Sequence, residues 1–493
     1  MRKILLFLPL LLSTTLISCM KDEEYTVNPA DCLTFSTDTV AFDTIISGSP
    51  TNTYTFSVHN PSKKAIRIPQ VVLEQGANSP FRVNVDGTPL QAGVAHDFEI
   101  AAKDSLIVYL MANVPEIDND LPIDVSDKLT FTTEAGVSQS VVLTASGQAV
   151  IPLQGKRITE DITLDAKRPY RIMDSLVVEA GHTLTLAAGT NFLFHAKAQL
   201  IVYGTLKVTG TAQQPVTLRG DRLGNMFDGQ PYDRIPGQWG GIVLKSSSYD
   251  NHINFADIHS GTFGIQADSA DVKRTKLTLE NSIVHNTSGN GLDLRMVNAY
   301  VGNSQLTNAG GNCVQVRGGD VRLIHCTLAR FYVFKGGNGV ALDFANHDNG
   351  IRLPLERLLV ANSVVTGYQD DEIMGNQNME QKDDAFAYRF RNCLLNTPKP
   401  KEETSQMENC QWDWDDDTTA EGDTLVTKDK NFQPEPNLDK LLFSFELSPH
   451  SKAIGHADPA ITAETYPVDR KGTPRGSTPD IGCYQYVKPA SKP

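Results

Sequence analysis

The sequence is short of positive charge, and beyond its N-terminus it is short of long apolar runs. It has 44 lysines and arginines against 58 aspartates and glutamates, which gives a formal net charge of −14. Because a chain this acidic repels phosphate backbones, we expect no nucleic acid partner. After residue 12, no apolar run approaches the about 20 residues that a membrane-spanning helix needs. These two absences restrict the expected membrane contact to the N-terminus.

Signatures of known catalytic chemistry are also missing. The sequence has no nucleophile elbow, no phosphate-binding glycine loop and no Ser/His/Asp signature. Its 11 histidines are scattered, and His285 and His325 lack the paired spacing of a zinc site. We therefore expect no metal site, and the motifs leave the catalytic residues unknown.

The N-terminus has the order of charges and apolar residues that is typical of a secretion signal. Two basic residues precede an apolar run at residues 4–12, which is too short to span a bilayer. The following Leu-Ile-Ser-Cys at residues 16–19 resembles the bacterial lipobox, in which the chain is cut before a cysteine that receives lipid. The resemblance implies a signal peptide over residues 1–18 and lipidation of Cys19.

The residues after Cys19 indicate where the lipid would hold the protein. The sequence MKDEE at residues 20–24 is similar to the export tag of Bacteroidetes lipoproteins that reach the outer face of the outer membrane. The alternative is that these residues only begin a solvated acidic linker, which we place at residues 19–32. The resemblance implies a lipid-anchored protein of the outer membrane, exposed at the cell surface, with the membrane as its partner through the N-terminal lipid.

Residues 33–150 alternate between apolar and polar residues in short runs. Turn residues such as those at 60–62 separate the runs, which include YTFSV, FRVNV, LIVYL, LTFTT and VVLTA. About seven strands in about 115 residues are typical of an antiparallel sandwich. The pattern resembles the immunoglobulin-like modules that precede larger domains in bacterial surface proteins, and this resemblance implies a spacer.

From residue 155 to about residue 420, the sequence repeats itself. Three copies begin 22 residues apart, at Asn281, Asn303 and His325, and later copies begin at Asn362, Asn392 and Asn409. A second column contains Gly264, Gly291, Cys313 and Gly339. A fixed period with several short strands in each copy predicts a parallel β-solenoid, whose coils bury their apolar side against one another. Asn at a fixed corner suits a turn and lets side-chain amides hydrogen-bond along the stack.

The repeat resembles the right-handed parallel β-helix family, which includes pectate lyases and tail-spike-type hydrolases. The expected fold class is therefore all-β, with an N-terminal immunoglobulin-like β-sandwich followed by a right-handed single-stranded parallel β-helix. We place a C-terminal segment at residues 421–493, within which residues 445–486 resemble a segment of secreted Bacteroidetes β-helix proteins. The matching residues are Ser448, Pro449, Arg475, Asp480, Ile481, Gly482 and Tyr484, whereas Cys483 and Gln485 depart from the pattern. Both resemblances concern fold and location, because this fold hosts unrelated functions.

The predicted coils bring charged residues together on their outer surface, where equivalent residues lie about 4.8 Å apart. Counted from the glycine column, Asp293 is in one outward column and the next column reads Asp268, Arg295, Arg317 and Asp343. Stacked arginines could hold the carboxylate or sulfate of an acidic sugar, as a polysaccharide lyase requires. The alternative, which we favour, is that acids and arginines neutralise each other on a solvated face.

Calcium is the cofactor that clustered acids could hold, but no motif supports it. Acids cluster at residues 370–372, 383–384 and 413–417. Consecutive acids on a strand point to alternate faces, so few of them could surround one ion with the six to eight oxygens that calcium takes. We therefore expect no cofactor.

Cys393 and Cys410 form a candidate disulfide. They occupy the same motif position in copies only 17 residues apart, and cysteines whose Cα atoms lie within about 7 Å can bond. The alternative is that both remain thiols, because 17 residues are fewer than one full coil.

Three functions are compatible with this sequence. The leading hypothesis is a non-catalytic surface lipoprotein whose β-helix binds glycan or adheres to surface proteins. The second is a polysaccharide lyase or glycoside hydrolase that acts on an acidic polysaccharide, with Arg295 and Arg317 holding its carboxylates. The third is a structural component of a surface assembly.

Overall fold

A computed structural model describes residues 24–227, 229–334, 338–381, 383–401, 404–413, 431–433 and 441–488. The chain divides into two compact units between Ala149 and Val150. None of the helices in these ranges has the length and apolar character needed to cross a membrane. The predicted signal peptide at residues 1–18 and the lipid attachment residue Cys19 lie outside the described residues.

The N-terminal unit consists of two five-stranded sheets. The first sheet contains, in spatial order, Thr34–Phe35, Tyr54–His59, Ser105–Ala112, Phe81–Val85 and Thr88–Pro89. The second contains Thr39–Ile46, Ser138–Gln148, Ile123–Thr132, Ile66–Leu73 and Val94–Ile100. A short 3₁₀ helix, Gly76–Asn78, follows Ile66–Leu73.

Alternating side chains build the core of this unit. In Ser105–Ala112, every second residue is buried, so one side of the strand faces the core and the other faces water. Val108 from the first sheet and Phe131 from the second belong to one apolar cluster, as a sandwich requires. Part of the predicted linker joins this unit, because Tyr25 pairs with Ala65. The immunoglobulin-like relationship stays a prediction.

The C-terminal unit is a stack of coils, each contributing up to three short strands that pair in parallel with the next coil. We number the three sides in the order in which the chain visits them. Face 1 contains Arg157–Ile158, Leu176–Val178, Gln199–Val202, Gly241–Leu244, Ile265–Ala267, the first halves of Leu292–Gly302 and Val314–Ile324, Leu342–Ala345 and Ile373–Asn376.

Face 2 adjoins face 1 in the same 17-stranded sheet. It contains Ile162–Leu164, Thr183–Ala187, Thr205–Thr209, Asn251–Asn254, Thr275–Glu280, the second halves of Leu292–Gly302 and Val314–Ile324, Leu355–Ala361, Phe386–Arg391 and Met407–Glu408.

Face 3 is a separate 11-stranded sheet. It contains Ile151–Leu153, Tyr170–Ile172, Asn191–Phe194, Val216–Gly220, Ala256–His259, Ile283–Thr287, Gln305–Ala309, Thr327–Arg330, Val364–Gly367, Leu394–Leu395 and Gln411–Trp412. Outside the faces lie two antiparallel hairpins, a 3₁₀ helix and an α-helix: Asn225–Phe227 with Gln230–Pro231, His347–Asp348 with Ile351–Arg352, Tyr232–Arg234 and Pro459–Thr465.

Stacked apolar side chains fill the interior of the coils. On face 1, Leu294 pairs with Ala267 on one side and with Val316 on the other, and all three are buried. Complete burial of a Leu or Val side chain contributes about 1.5–3 kcal/mol, and each coil adds such residues from three sides. The parallel β-helix predicted from the repeat is therefore confirmed as the fold of this unit.

The predicted Asn corner lies between faces 2 and 3. Its residues adopt the left-handed conformation, with φ of 49° at Asn281, Asn303 and Asn362 and 52° at His325. Most side chains find this region costly, whereas Asn enters it readily. The predicted amide ladder is confirmed, because Asn303 Nδ2 donates to Asn281 Oδ1 at 2.7 Å and Asn281 Nδ2 donates to Asn254 Oδ1 at 2.8 Å.

The C-terminal segment packs along this corner and along face 3. Arg475 is 2% exposed, and its guanidinium donates to Asn303 Oδ1 at 2.8 Å and to the Gly482 carbonyl at 3.0 Å. The Tyr484 hydroxyl donates to Gln305 Oε1 at 2.7 Å. Arg475 and Tyr484, two of the residues that match the C-terminal pattern, therefore attach this segment to the coils.

Candidate functional site

The structure corrects the predicted register of the charged column on face 1. Arg295 pairs with Arg317 as predicted, but the next residue in that column is Ala345. Asp343 pairs with Gln315 and so belongs to the column of Asp293. The prediction was wrong by two residues because it equated Gly339 with the glycine column, whereas the chain between faces 3 and 1 is longer in this coil.

Four of the five predicted charged residues have an ion-pair partner, whereas Asp293 accepts hydrogen bonds from the amides of Asn290 and Gln315. Arg317 donates to both carboxylate oxygens of Asp343, at 3.1 and 2.5 Å. Arg295 pairs with Asp348 from the neighbouring hairpin, and Asp268 pairs with Lys245 at 2.6 Å. The arginines therefore contact carboxylates of this chain, which agrees with the neutral ladder that we favoured.

Amides connect these groups into one network, which we call the face-1 network: Asn290, Asp293, Asn312, Gln315, Arg317 and Asp343. Asn312 Nδ2 lies 3.0 Å from both Gln315 Oε1 and Asp343 Oδ2. Gln315 Nε2 donates to Asp293 Oδ1 at 3.3 Å. Burial raises the pKa of Asp293, although Asn290 and Gln315 stabilise its charged form. The hydrogen bonds thus hold amide and charged side chains, which include both donors and acceptors, in fixed positions across three coils.

A cavity of about 350 Å³ lies beside this network, where the chain passes from face 3 to face 1. Its lining contains Ser288, Gly289, Gly310, Gly311, Asn312, Asn338, Gly339, Val340, Asp343 and Met374. Glycine is needed on its wall, since a Cβ at Gly311 would lie 2.3 Å from Asn290 Oδ1. Met374 is 52% exposed, so the cavity has an accessible rim. Its volume is in the range of about 300–1,000 Å³ typical of small-molecule sites.

Cys393 and Cys410 are adjacent, as the repeat predicted. The strands that follow them pair in register, through Leu394 and Gln411. The structure has both as thiols, and each donates to a backbone carbonyl: Cys393 Sγ to Arg391 at 3.3 Å and Cys410 Sγ to Glu408 at 3.4 Å. Burial raises the pKa of Cys393, whereas the neighbouring Cys393 lowers the pKa of Cys410. The disulfide stays a prediction.

Two of the acids considered for calcium, Glu372 and Asp384, have separate structural roles. Glu372 is buried, and its carboxylate accepts the backbone N–H groups of Ala341 and Gln369, at 2.8 and 2.9 Å. Asp384 pairs with Arg352 through both carboxylate oxygens. Residues 414–417 lie outside the described residues.

A second cluster, on face 3, was missed by the sequence analysis. We call it the histidine cluster: Asp233, Asp257, His259 and His285. His259 pairs in register with His285, and their rings lie 4.8 Å apart. Asp257 and His259 share one face of the strand Ala256–His259 because they are two residues apart. Asp233 comes from the 3₁₀ helix Tyr232–Arg234 in the insertion after Val216–Gly220.

Short contacts join the members of the histidine cluster. Asp257 Oδ1 lies 2.9 Å from His259 Nδ1 and 3.1 Å from His285 Nε2. On the opposite edge of the ring, His259 Nε2 lies 2.6 Å from Asp233 Oδ1, which also accepts from Arg219 at 2.8 Å. The imidazole of His259 is therefore held between two carboxylates.

This arrangement changes the proton affinities of the cluster. Burial disfavours the charged form of His259, but Asp257 and Asp233 outweigh burial and raise its pKa to about 9. Burial would likewise raise the pKa of Asp257, yet His259 and His285 hold it well below 3.8. For the same reason the pKa of Asp233 falls to about 2. Among the described residues, Asp257, His259 and His285 also form the group whose ligand atoms could surround a metal ion, which our prediction of no metal site did not foresee.

Comparisons with known proteins give structural neighbours of low similarity and one matching family model. No curated protein matches the chain. Its structure has low similarity to a protein of unknown function from Porphyromonas gingivalis, with 8% identity, 26% of this chain and 50% of the other covered, and a TM-score of 0.18. A family 123 glycoside hydrolase from Clostridium perfringens has 7% identity, coverages of 25% and 30%, and a TM-score of 0.18.

The catalytic unit of an α-1,3-glucanase from Streptomyces thermodiastaticus has 10% identity, coverages of 73% and 88%, and a TM-score of 0.20. The chain thus spans half or less of the length of the first two of these proteins. TM-scores this low carry no argument about function. Residues 156–310 match the family model of the pectate-lyase like beta helix domain, so this part of the chain has the fold of that domain.

Proposed function

We propose that the protein binds neutral glycans through the face-1 network and its cavity, without cleaving them. The observation that supports this proposal is the fixed set of amides and carboxylates at the edge of an accessible cavity. Sugar hydroxyls both donate and accept hydrogen bonds, and Asn312 and Asp343 provide both kinds of partner on the cavity wall. Because the network is already ordered, a ligand would bind without the cost of ordering these side chains.

The charges favour a neutral ligand over an acidic one. Arg317 and Arg295 are each paired with a carboxylate, at Asp343 and Asp348. An acidic sugar would have to displace those carboxylates and leave them unpaired beside its own charge, which is unfavourable. The pairing therefore argues against the acidic polysaccharide in our second hypothesis.

Binding without cleavage follows from the positions of the carboxylates. A glycosidase places two carboxyl groups on either side of the scissile bond. Among the described residues that line the cavity, Asp343 is the one acid, and Asp293 lies behind the amides of Gln315 and Asn290. The geometry thus offers a binding surface whose cavity wall carries a single acid, the largely buried Asp343.

The proposal is tested by screening neutral and acidic glycans against the soluble chain from Lys21 and two glutamine variants. Gln315→Ala removes the link between Asn312 and Asp293, and we expect it to weaken binding about tenfold, the effect of losing about 1.4 kcal/mol. Gln266→Ala is the matched control, because Gln266 occupies the same column two coils away from Gln315 and lies outside the cavity. Its binding should equal that of the wild type.

Two other results would redirect this conclusion. Binding or cleavage of an acidic glycan that Arg317→Ala abolishes would support the enzyme hypothesis instead. If neither neutral nor acidic glycans bind, the β-helix would instead be a structural or protein-binding component.

We further propose that lipid on Cys19 anchors the protein in the outer membrane, with the binding face exposed to the outside. The basis is the lipobox-like LISC and the acidic MKDEE that follows it. Metabolic labelling with palmitate should mark the wild type and not Cys19→Ala, and protease added to intact cells should degrade the wild type. Unlabelled or fully protected wild-type protein would contradict this location.

A further inference from the structure

We propose that Asp257, His259 and His285 form a binding site for a divalent transition-metal ion of the zinc class. The three side chains come from neighbouring coils of face 3, and their ligand atoms all lie within 4.8 Å of one another. Two imidazoles and one carboxylate form a ligand set that suits Zn²⁺ and its first-row neighbours.

The distances need little adjustment to accept the ion. Asp257 Oδ1 lies 2.9 Å from His259 Nδ1 and 3.1 Å from His285 Nε2. Ligand atoms around a tetrahedral ion with bonds of about 2.0–2.2 Å lie about 3.3 Å apart. The ion would therefore replace the hydrogen bonds to Asp257 after small rotations of the three side chains.

The ring nitrogen of His259 that would not bind the ion has a carboxylate partner, as metal-bound histidines usually do. When Nδ1 binds the ion, Nε2–H is left to donate, and it already points at Asp233 Oδ1 at 2.6 Å. A carboxylate in this position fixes the tautomer and makes the imidazole a better ligand. Asp233 is itself positioned by Arg219 at 2.8 Å.

The cluster also has room for an exchangeable ligand. Asp257 and His285 line a cavity of about 330 Å³ between face 3 and residues 441–446 of the C-terminal segment. Three protein ligands beside such a cavity leave a coordination position for water or another small ligand, as in catalytic rather than structural zinc sites. When the ion displaces the proton of His259, the carboxylates of Asp233 and Asp257 exceed the positive charge of Arg219, so the ion takes over the charge that the protonated imidazole supplies; Arg234 also lines the cavity.

The test is calorimetric titration of the chelator-treated soluble chain with ZnCl₂. We expect one Zn²⁺ per chain, with affinity reduced at least about tenfold in Asp257→Asn and His285→Gln, which remove ligands, and about 10–100-fold in Asp233→Asn, which removes the support. His195→Gln is the matched control, since His195 is a half-exposed histidine of face 3 paired with Asp221 outside the cluster. It should bind as the wild type does.

Cobalt absorption spectra of the wild-type chain provide a readout that does not depend on the variants folding. A visible spectrum typical of nitrogen and oxygen ligands supports the proposal. Thiolate charge-transfer bands would place the ion on cysteines and overturn it. Absence of stoichiometric Zn²⁺ binding, or equal affinity in the wild type and Asp233→Asn, would also overturn it and leave the cluster as an ion-pair network.

Discussion

Replacing His259 should remove a stabilisation that depends on pH in a defined way. His259 is 5% exposed and lies between Asp233 and Asp257, with the tilted ring of His285 beside it and Arg219 bound to Asp233. Its pKa rises from 6.5 to about 9 in the folded protein. The folded state therefore holds the imidazole proton more tightly than the unfolded state does, by about 3 kcal/mol.

The sign of the effect follows from the raised pKa. Below about pH 6.5 both states are protonated and the full stabilisation is present, whereas it falls to about 1.4 kcal/mol near pH 8 and is lost above about pH 10. The two acids do not contribute in this window, because the pKa values of Asp257 and Asp233 are lowered, so their contribution is lost only in acid.

Tryptophan fluorescence provides a selective assay. All three tryptophans come after residue 150 in the sequence, and the buried Trp239 donates from its indole to the His259 carbonyl at 2.8 Å. Denaturant unfolding would be followed between pH 6 and 10 in the presence of a chelator, for the wild type and His259→Gln. The difference in unfolding free energy should shrink by about 3 kcal/mol over this range.

The control is His252→Gln, which removes a half-exposed histidine paired with Glu280 on face 2. Its difference from the wild type should change little with pH, because a surface pair contributes about 0–1 kcal/mol. A pH-independent difference for His259→Gln would refute the reasoning about the cluster.

Three other substitutions or treatments test the fold. Leu294→Ala should cost about 2–5 kcal/mol in denaturant unfolding, because Leu294 is fully buried between two coils; a cost below 1 kcal/mol would contradict the stacking. Asn303→Ala should be less stable than Asn303→Gly by about 1–2 kcal/mol, because glycine accepts the φ of 49° without strain; equal stability would argue against the corner. Mild oxidation should yield a peptide cross-linked between Cys393 and Cys410, found by mass spectrometry and absent from Cys410→Ser; two alkylated thiols after oxidation would exclude the disulfide.

The repeat made most of the β-helix predictable. Asn281, Asn303 and His325 are equally spaced in the sequence and occupy one corner, because a parallel stack needs the same turn in each coil. The predicted register of the face-1 strands was wrong in the coil where the spacing between copies changes. The connection before Leu342 is longer than in the two preceding coils, and it moves Asp343 by two positions relative to Arg317. The spacing of the glycine column does not show which residues of adjacent coils pair.

The histidine cluster was harder to predict, although part of its signal is present in the sequence. His285 lies four residues after the corner residue Asn281, and His259 lies four residues after Phe255, which adopts the corner conformation with φ of 50°. Phe255 does not look like a corner residue, so the sequence analysis began the column one coil too late. The approach of Asp233 depends on an insertion whose path no repeat describes.

The central claim is that the cavity on face 1 binds glycan, and blocking its rim tests this most directly. Met374 lines the cavity and is 52% exposed, while Met379 is 64% exposed and lies outside the cavity lining. The equilibrium affinity for a neutral glycan identified by the screen would be measured for the wild type, Met374→Trp and Met379→Trp. We expect Met374→Trp to abolish binding and Met379→Trp to retain it. Equal affinities in all three proteins, or no neutral glycan bound by the wild type, would contradict the claim.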